Sequence, residues 1–88
     1  MATEICNHTK TRPTIKRGSS GPAVMQAQCY LNNSLTNTNL ATDGVFGPVT
    51  EHATHRFQTC ADITVDGVIG AQTWSHLAFW ANSPDFVC

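Results

Sequence analysis

At 88 residues, with a formal net charge of −1 and only 12 % charged residues, the chain has room for one domain and not for two. It carries no electrostatic footprint for nucleic acid or an anionic membrane surface. Its apolar content is that of an ordinary globular protein, no apolar run reaches membrane-spanning length, and no basic stretch followed by an apolar one marks a signal peptide, so the chain reads as a mature segment.

Residues Met1 to Lys10 show no periodicity. Thr11-Arg12-Pro13-Thr14 reads as extended or turn, because the residue before a proline is pushed out of the helical region, and Ile15 is expected to plug the core. A first helix is expected from Gly21-Pro22, capped by Ser19 or Ser20, to Asn32-Asn33. Val24, Gln28 and Leu31 share its inner face with Ala27 beside them. A glutamine on a core-facing position implies an amide bonded to backbone, or else a ligand contact. Ser34 to Thr42, rich in Asn, Thr and Ser, reads as a loop anchored by Leu35 and Leu40. A second helix is expected from Pro48 to Cys60, with Val49, Ala53, Phe57 and Cys60 as its apolar stripe. After a short connector in which Ile63 and Val65 alternate around Thr64, a third runs from Ala71 to Phe79 or a little beyond, with Trp74, Leu77 and Ala78 inward. The tail from Trp80 to Cys88 combines aromatics with a cysteine and reads as tied down.

The chain repeats itself. Asp43-Gly44-Val45-Phe46-Gly47-Pro48 opens the second helix, Asp66-Gly67-Val68-Ile69-Gly70-Ala71 opens the third, and a fainter copy, Gly18-Ser19-Ser20-Gly21-Pro22, opens the first. Internal repetition of this kind fixes architecture. The fold expected is all-α: a small three-helix orthogonal bundle with long loops, stapled by two disulfides, forming a single domain over residues 1–88.

The repeated residues have structural work to do. Gly44 and Gly67 are expected to supply positive φ in their turns, and Asp43 and Asp66 to accept from backbone N–H groups two residues on. Thr50 and Thr73 lie one turn inside their helices, where a hydroxyl can bond back to the chain. Gly21, Gly47 and Gly70 punctuate the three helix starts. Catalytic chemistry is hard to find. His52 and His55 stand three apart beside Glu51, not at the four-residue spacing of a helical zinc-protease motif. No serine or cysteine is paired with an identifiable base, and Asp43 and Asp66 sit in turns that keep them ionised, which suits hydrogen-bond acceptance better than acid catalysis. No catalytic residue, metal site or cofactor is read from the sequence.

Cys6, Cys29, Cys60 and Cys88 form an even set with no Cys-x-x-Cys, which in so small a chain reads as two disulfides and an oxidising compartment. Four reduced thiols are the alternative; finger-type zinc spacing is absent. If the first two helices pack together, Cys29 and Cys60 meet, and the terminal Cys6 and Cys88 are left to pair.

The run Ile15-Lys16-Arg17-Gly18-Ser19-Ser20-Gly21-Pro22-Ala23-Val24, then Gln28 and Leu31, the Asp43 to Thr50 stretch, Phe57-Gln58, Asp66 to Gly70, Thr73-Trp74 and Leu77 together resemble the type 1 peptidoglycan-binding domain over residues 15–77. The resemblance implies a compact three-helix module that is not itself an enzyme. It sits beside a cell-wall hydrolase, such as an amidase, a muramidase or a zinc carboxypeptidase, and holds it on bacterial peptidoglycan. Two departures stand out: Ala27 replaces a large aliphatic residue, with Met25 or Tyr30 as compensating bulk, and the cysteines are additional. A glycan-peptide ligand calls for a shallow groove with hydrogen-bonding side chains and an aromatic or two. Tyr30, Asn33, Phe46, Arg56, Gln58 and Trp80 are the candidates, with Trp74 assigned to the core. The expected partners are peptidoglycan and, where one accompanies the module, a hydrolase catalytic domain, without nucleic acid or membrane, for a secreted, wall-associated monomer. The alternative is a propeptide-like packing module docked on a neighbouring catalytic domain.

Overall fold

Glycine and proline decide where each helix starts. The computed structural model describes residues 4–88, in which α1 spans Pro22–Ser34, α2 spans Pro48–Ala61 and α3 spans Ala71–Ala81. Gly21, Gly47 and Gly70 stand at the three N-cap positions, and α1 and α2 follow with proline, whose missing N–H has no helical partner there. No side chain caps any of the three. The serine cap expected for α1 is replaced: the Ser19 hydroxyl accepts from the Lys16 N–H instead. α1 and α2 each run one residue past the expected end, and α3 ends a little beyond Phe79, as expected. Among the described residues there is no strand, only two isolated antiparallel bridges, Ile15 with Ile69 and Ser20 with Val45.

Those bridges tie the three helix-opening loops into one layer. Ile15 and Ile69 exchange both backbone bonds, at 3.1 and 2.8 Å, while Gly18 N–H donates to Phe46 O, Phe46 N–H to Ser19 O and Gly21 N–H to Gly44 O. Below this layer α1 packs chiefly against α3 and more lightly against α2. Trp74, Tyr30, Phe46, Phe57, Leu31 and Leu77 are fully buried, together with Val24, Leu35 and Ile69. Tyr30 and Trp74 meet edge to face at 6.2 Å, a geometry that contributes about 1 kcal/mol beyond area burial, and Trp74 Nε1 donates to Pro13 O at 2.7 Å. Ile15, Leu35 and Leu40 are buried as expected. Beside the fully buried Ala27, Tyr30 is the bulky residue turned inward, while Met25 is half-buried.

The inner face of α2 differs from expectation. Val49 is 69 % exposed and Cys60 only half-buried. The buried face consists of Thr50, Ala53, Thr54, Phe57 and Gln58, a rotation of one residue that puts polar atoms inside because they have partners there. Thr54 Oγ1, for example, donates to Thr50 O at 2.8 Å. Among the described residues no buried side-chain nitrogen or oxygen lacks a partner.

The disulfide pairing expected from the sequence, Cys29–Cys60 with Cys6–Cys88, is corrected. The bonds join Cys6 to Cys29 and Cys60 to Cys88, with Cα–Cα distances of 6.0 and 5.9 Å. The physical reason is that α1 faces α3 more than α2, so the sulfur of Cys29 does not look across an α1–α2 seam. Each cysteine of a helix instead staples the terminal arm nearest to it. The first arm is also held by Gln26, whose Nε2 donates to Cys6 O and whose Oε1 accepts from His8 N–H, both at 2.8 Å. The second is held by Val87 N–H donating to Ser34 O and Thr36 N–H to Cys88 O.

Sequence separations of 23 and 28 residues make each bond worth about 3.5 kcal/mol on the chain-entropy model. Non-reducing peptide mapping is therefore expected to yield Cys6–Cys29 and Cys60–Cys88 linked peptides. Reduction should lower the melting temperature by more than about 10 °C. A Cys29–Cys60 peptide would overturn the assignment.

Candidate functional site

Two glutamine side chains hold the loops that open α2 and α3. Gln28 on α1 donates through Nε2 to Asp43 Oδ1 (3.1 Å), Val45 O (3.0 Å) and Thr50 Oγ1 (3.1 Å), and accepts at Oε1 from Gly44 N–H (3.0 Å). Gln58 on α2 repeats the arrangement one unit later. Its Nε2 donates to Asp66 Oδ1, Val68 O and Thr73 Oγ1, and its Oε1 accepts from the N–H groups of Asp66 and Gly67. Asp43 and Asp66 accept, as expected, from N–H two residues on, those of Val45 and Val68, each at 3.0 Å. Gly44 and Gly67 have φ of 76° and 73°, and a Cβ on Gly67 would run into the imidazole of His55. The hydroxyls of Thr50 and Thr73 accept from the glutamine amides, a role the sequence did not suggest.

The six candidate ligand residues separate into two groups. Tyr30, Phe46 and Gln58 are buried, at 1 %, 1 % and 0 % exposure. Tyr30 and Phe46 pack in the core with Trp74 and Phe57, and both ends of the Gln58 amide are occupied by the loop before α3 and by Thr73. A surface-bound ligand does not reach these three. Asn33, Arg56 and Trp80 are half-buried at the surface, but the structure does not bring them together. Asn33 Nδ2 donates to Cys29 O at 2.8 Å. Trp80 meets Phe79 edge to face at 5.3 Å, on an open shelf with Cys60, Ala61, His76 and Val87.

Arg56 lies in a groove. A depression of about 280 Å³ is lined by Asn37, Thr38, Asn39, Leu40, Val49, His52, Ala53 and Arg56. It shares Leu40 and Val49 with a second of about 240 Å³, lined also by Gln28, Ala41, Asp43, Val45 and Pro48. The loop forming one wall is fixed from α1: Asn32 Nδ2 donates to Leu40 O and Asn32 Oδ1 accepts from Leu40 N–H at 2.7 Å. Arg56 Nη1 donates to Thr36 O and Thr38 Oγ1, each at 2.9 Å. Asn37 turns the loop with φ of 56°, a conformation asparagine tolerates well. Of this groove the sequence reading found only Arg56. The signal for the rest was the Asn- and Thr-rich composition of Ser34 to Thr42, which is uninformative about position. Among the described residues no cluster of three His, Cys, Asp or Glu side chains is placed to hold a metal ion.

The aspartates at the two turns give an acid limb. The Val45 N–H and then the Gln28 amide hold the Asp43 carboxyl below its usual range, and the Val68 N–H and then Gln58 do the same for Asp66. A carboxylate whose folded pKa is depressed contributes stability above its unfolded pKa, and that contribution disappears as pH falls through the folded value. Thermal melts should hence be level from neutral pH to about pH 5 and decline below about pH 4. The Asp43→Asn/Asp66→Asn double variant, which keeps Oδ1 as an acceptor, should show a shallower decline. An identical acid limb in both proteins would contradict this. Gln58→Leu should cost about 2–4 kcal/mol in chemical denaturation, because it strands a buried carbonyl and buried N–H groups; a loss under about 1 kcal/mol would show that water replaces the amide.

Comparison with known proteins falls on these same residues. Residues 20–77 match the family described as a peptidoglycan binding domain. An uncharacterised protein of Kitasatospora aureofaciens is 37 % identical over 80 residues, covering 90 % of this chain and 68 % of that protein. The zinc D-Ala-D-Ala carboxypeptidase of Streptomyces albus G is 40 % identical over 65 residues, 73 % of this chain and 26 % of the carboxypeptidase. Among solved structures, the SleB N-terminal domain superposes with a TM-score of 0.75 at 34 % identity, covering 83 % of this chain and 99 % of that one. With the match spanning both glutamine-held loops and all of α1 and α2, the chain belongs to the peptidoglycan-binding domain family.

Proposed function

We propose that this chain binds bacterial peptidoglycan without hydrolysing it and holds an associated wall hydrolase on its substrate. The observation that carries the reading is that the groove between Asn37 and Arg56 lies wholly inside the residues that match the family. Two further facts support it. The carboxypeptidase relative extends far beyond the part this chain covers, so the same unit occurs there beside additional chain. All four cysteines are committed to disulfides, which leaves no thiol nucleophile and suits an oxidising space outside the cell. Among the described residues no helix is long and apolar enough to cross a membrane. We read the module as a wall-associated monomer.

A second reading has its own observation. Phe79 and Phe86 are 66 % and 50 % exposed and lie, with Trp80, outside the matched residues. Phe79, Trp80 and Val87 line one open shelf, and a neighbouring catalytic domain is the alternative occupant of it, with the module packing on an enzyme rather than on the wall.

Co-sedimentation with purified insoluble sacculi separates the two. The expected result is retention in the pellet with no muropeptides released above buffer. Failure to co-sediment would favour the packing reading, and released muropeptides would overturn the non-catalytic one. Because charge is sparse and balanced, retention should fall less than about threefold between low and physiological salt.

A further inference from the structure

We infer that the Arg56 end of the groove receives the free carboxylate of a peptide with small apolar side chains, so that the groove reads the peptide stems of the wall and not its sugar backbone. This rests on the peptidoglycan reading above.

The guanidinium carries the argument. Arg56 Nη1 is anchored by Thr36 O and Thr38 Oγ1, which fixes the plane of the head group. Among the described residues no acceptor bonds Nη2 or Nε, the pair of edges that grips a carboxylate side-on. Among the described residues the one ion pair joins Arg17 to Glu51, so no acidic side chain competes for Arg56. Asp43 lines the adjoining depression and not this one. A half-buried guanidinium anchored through Nη1, and in no ion pair among the described residues, is a receptor pre-oriented for a carboxylate.

The rest of the groove selects what the carboxylate is attached to. Leu40, Ala53 and the exposed Val49 offer methyl contacts of the size of an alanine side chain, and Asn37 and Asn39 offer amide donors and acceptors. No Phe, Tyr or Trp ring lines either depression, the imidazole of His52 being the one ring present, so the broad stacking platform that a pyranose face favours is missing here. Aromatic rings are exposed instead on the shelf of Phe79 and Trp80.

The test is an NMR titration of the intact, isotope-labelled chain with N-acetylated Lys-D-Ala-D-Ala, with its C-terminal amide, and with peptide-free glycan strands. The free acid should shift the Val49 and Leu40 methyl signals and the Arg56 Nε–H signal, and the amide should bind about tenfold more weakly or not at all. Arg56→Lys, which keeps the charge and loses the fork, should weaken the free acid by a similar factor while melting near the parent temperature. If that variant fails to fold, the comparison of acid with amide on the parent chain still decides. Equal binding of acid and amide, or shifts at Val49 and Arg56 with glycan strands alone, would overturn the inference while sacculus binding stands. Absence of binding to sacculi as well would overturn both readings.

Discussion

The structure depends on a side-chain carboxamide that bonds at both ends inside the protein. Gln28 and Gln58 each take the N–H of a glycine turn on the oxygen and present the nitrogen to an aspartate, a carbonyl and a threonine hydroxyl. Neither glutamate nor leucine can do this, since the first lacks the donor and the second lacks both groups. Each glutamine belongs to the helix before the loop it organises, so every helix positions the start of the next. The loop before α1 has no preceding helix to supply such an amide. It is held instead by backbone bonds to the loop before α2, through Gly18, Ser19 and Gly21.

This serial arrangement reaches the groove. Fixing the start of α2 at Gly47-Pro48 sets the rotation of that helix, which turns Thr50 and Phe57 inward and leaves Val49 in solvent. Arg56 then falls two turns along, beside the loop that Asn32 and the C-terminal arm hold from the other side. The groove is thus a by-product of core geometry, with one wall held by hydrogen bonds from Asn32 and Arg56.

Much of this was legible in the sequence, for identifiable reasons. Gly-Pro and Asp-Gly dipeptides encode local backbone geometry, so the helix starts, the positive φ at Gly44 and Gly67 and the aspartate acceptors could be read directly. The repeat gave the number of helices. What could not be read depends on how elements face one another. Cys29 and Cys60 looked like partners only on the assumption that α1 and α2 share a broad seam. Gln58, Tyr30 and Phe46 carry groups that suit a ligand equally well as a core, and pattern alone does not reveal that the interior supplies their partners. Val49 fitted a helical stripe, but a stripe one residue over buries Thr50 and Gln58, whose polarity hid them. The groove wall from Asn37 to Leu40 has no period at all, so composition identified a loop and nothing about its shape.

The two disulfides also define a path for mechanical load. Tension applied between Cys6 and Cys88 passes through the first sulfur bridge to Cys29, along the backbone to Cys60, and out through the second bridge. Residues between Cys6 and Cys29, and between Cys60 and Cys88, are bypassed, so α3 and most of α1 bear no axial pull. The loaded span is the stretch that holds the loop from Thr36 to Leu40, the turn at Asp43-Gly44 and α2 with Val49 and Arg56. A tether made of this domain would therefore transmit force through the groove beside Arg56, while the helices packed behind it are held out of the line of strain.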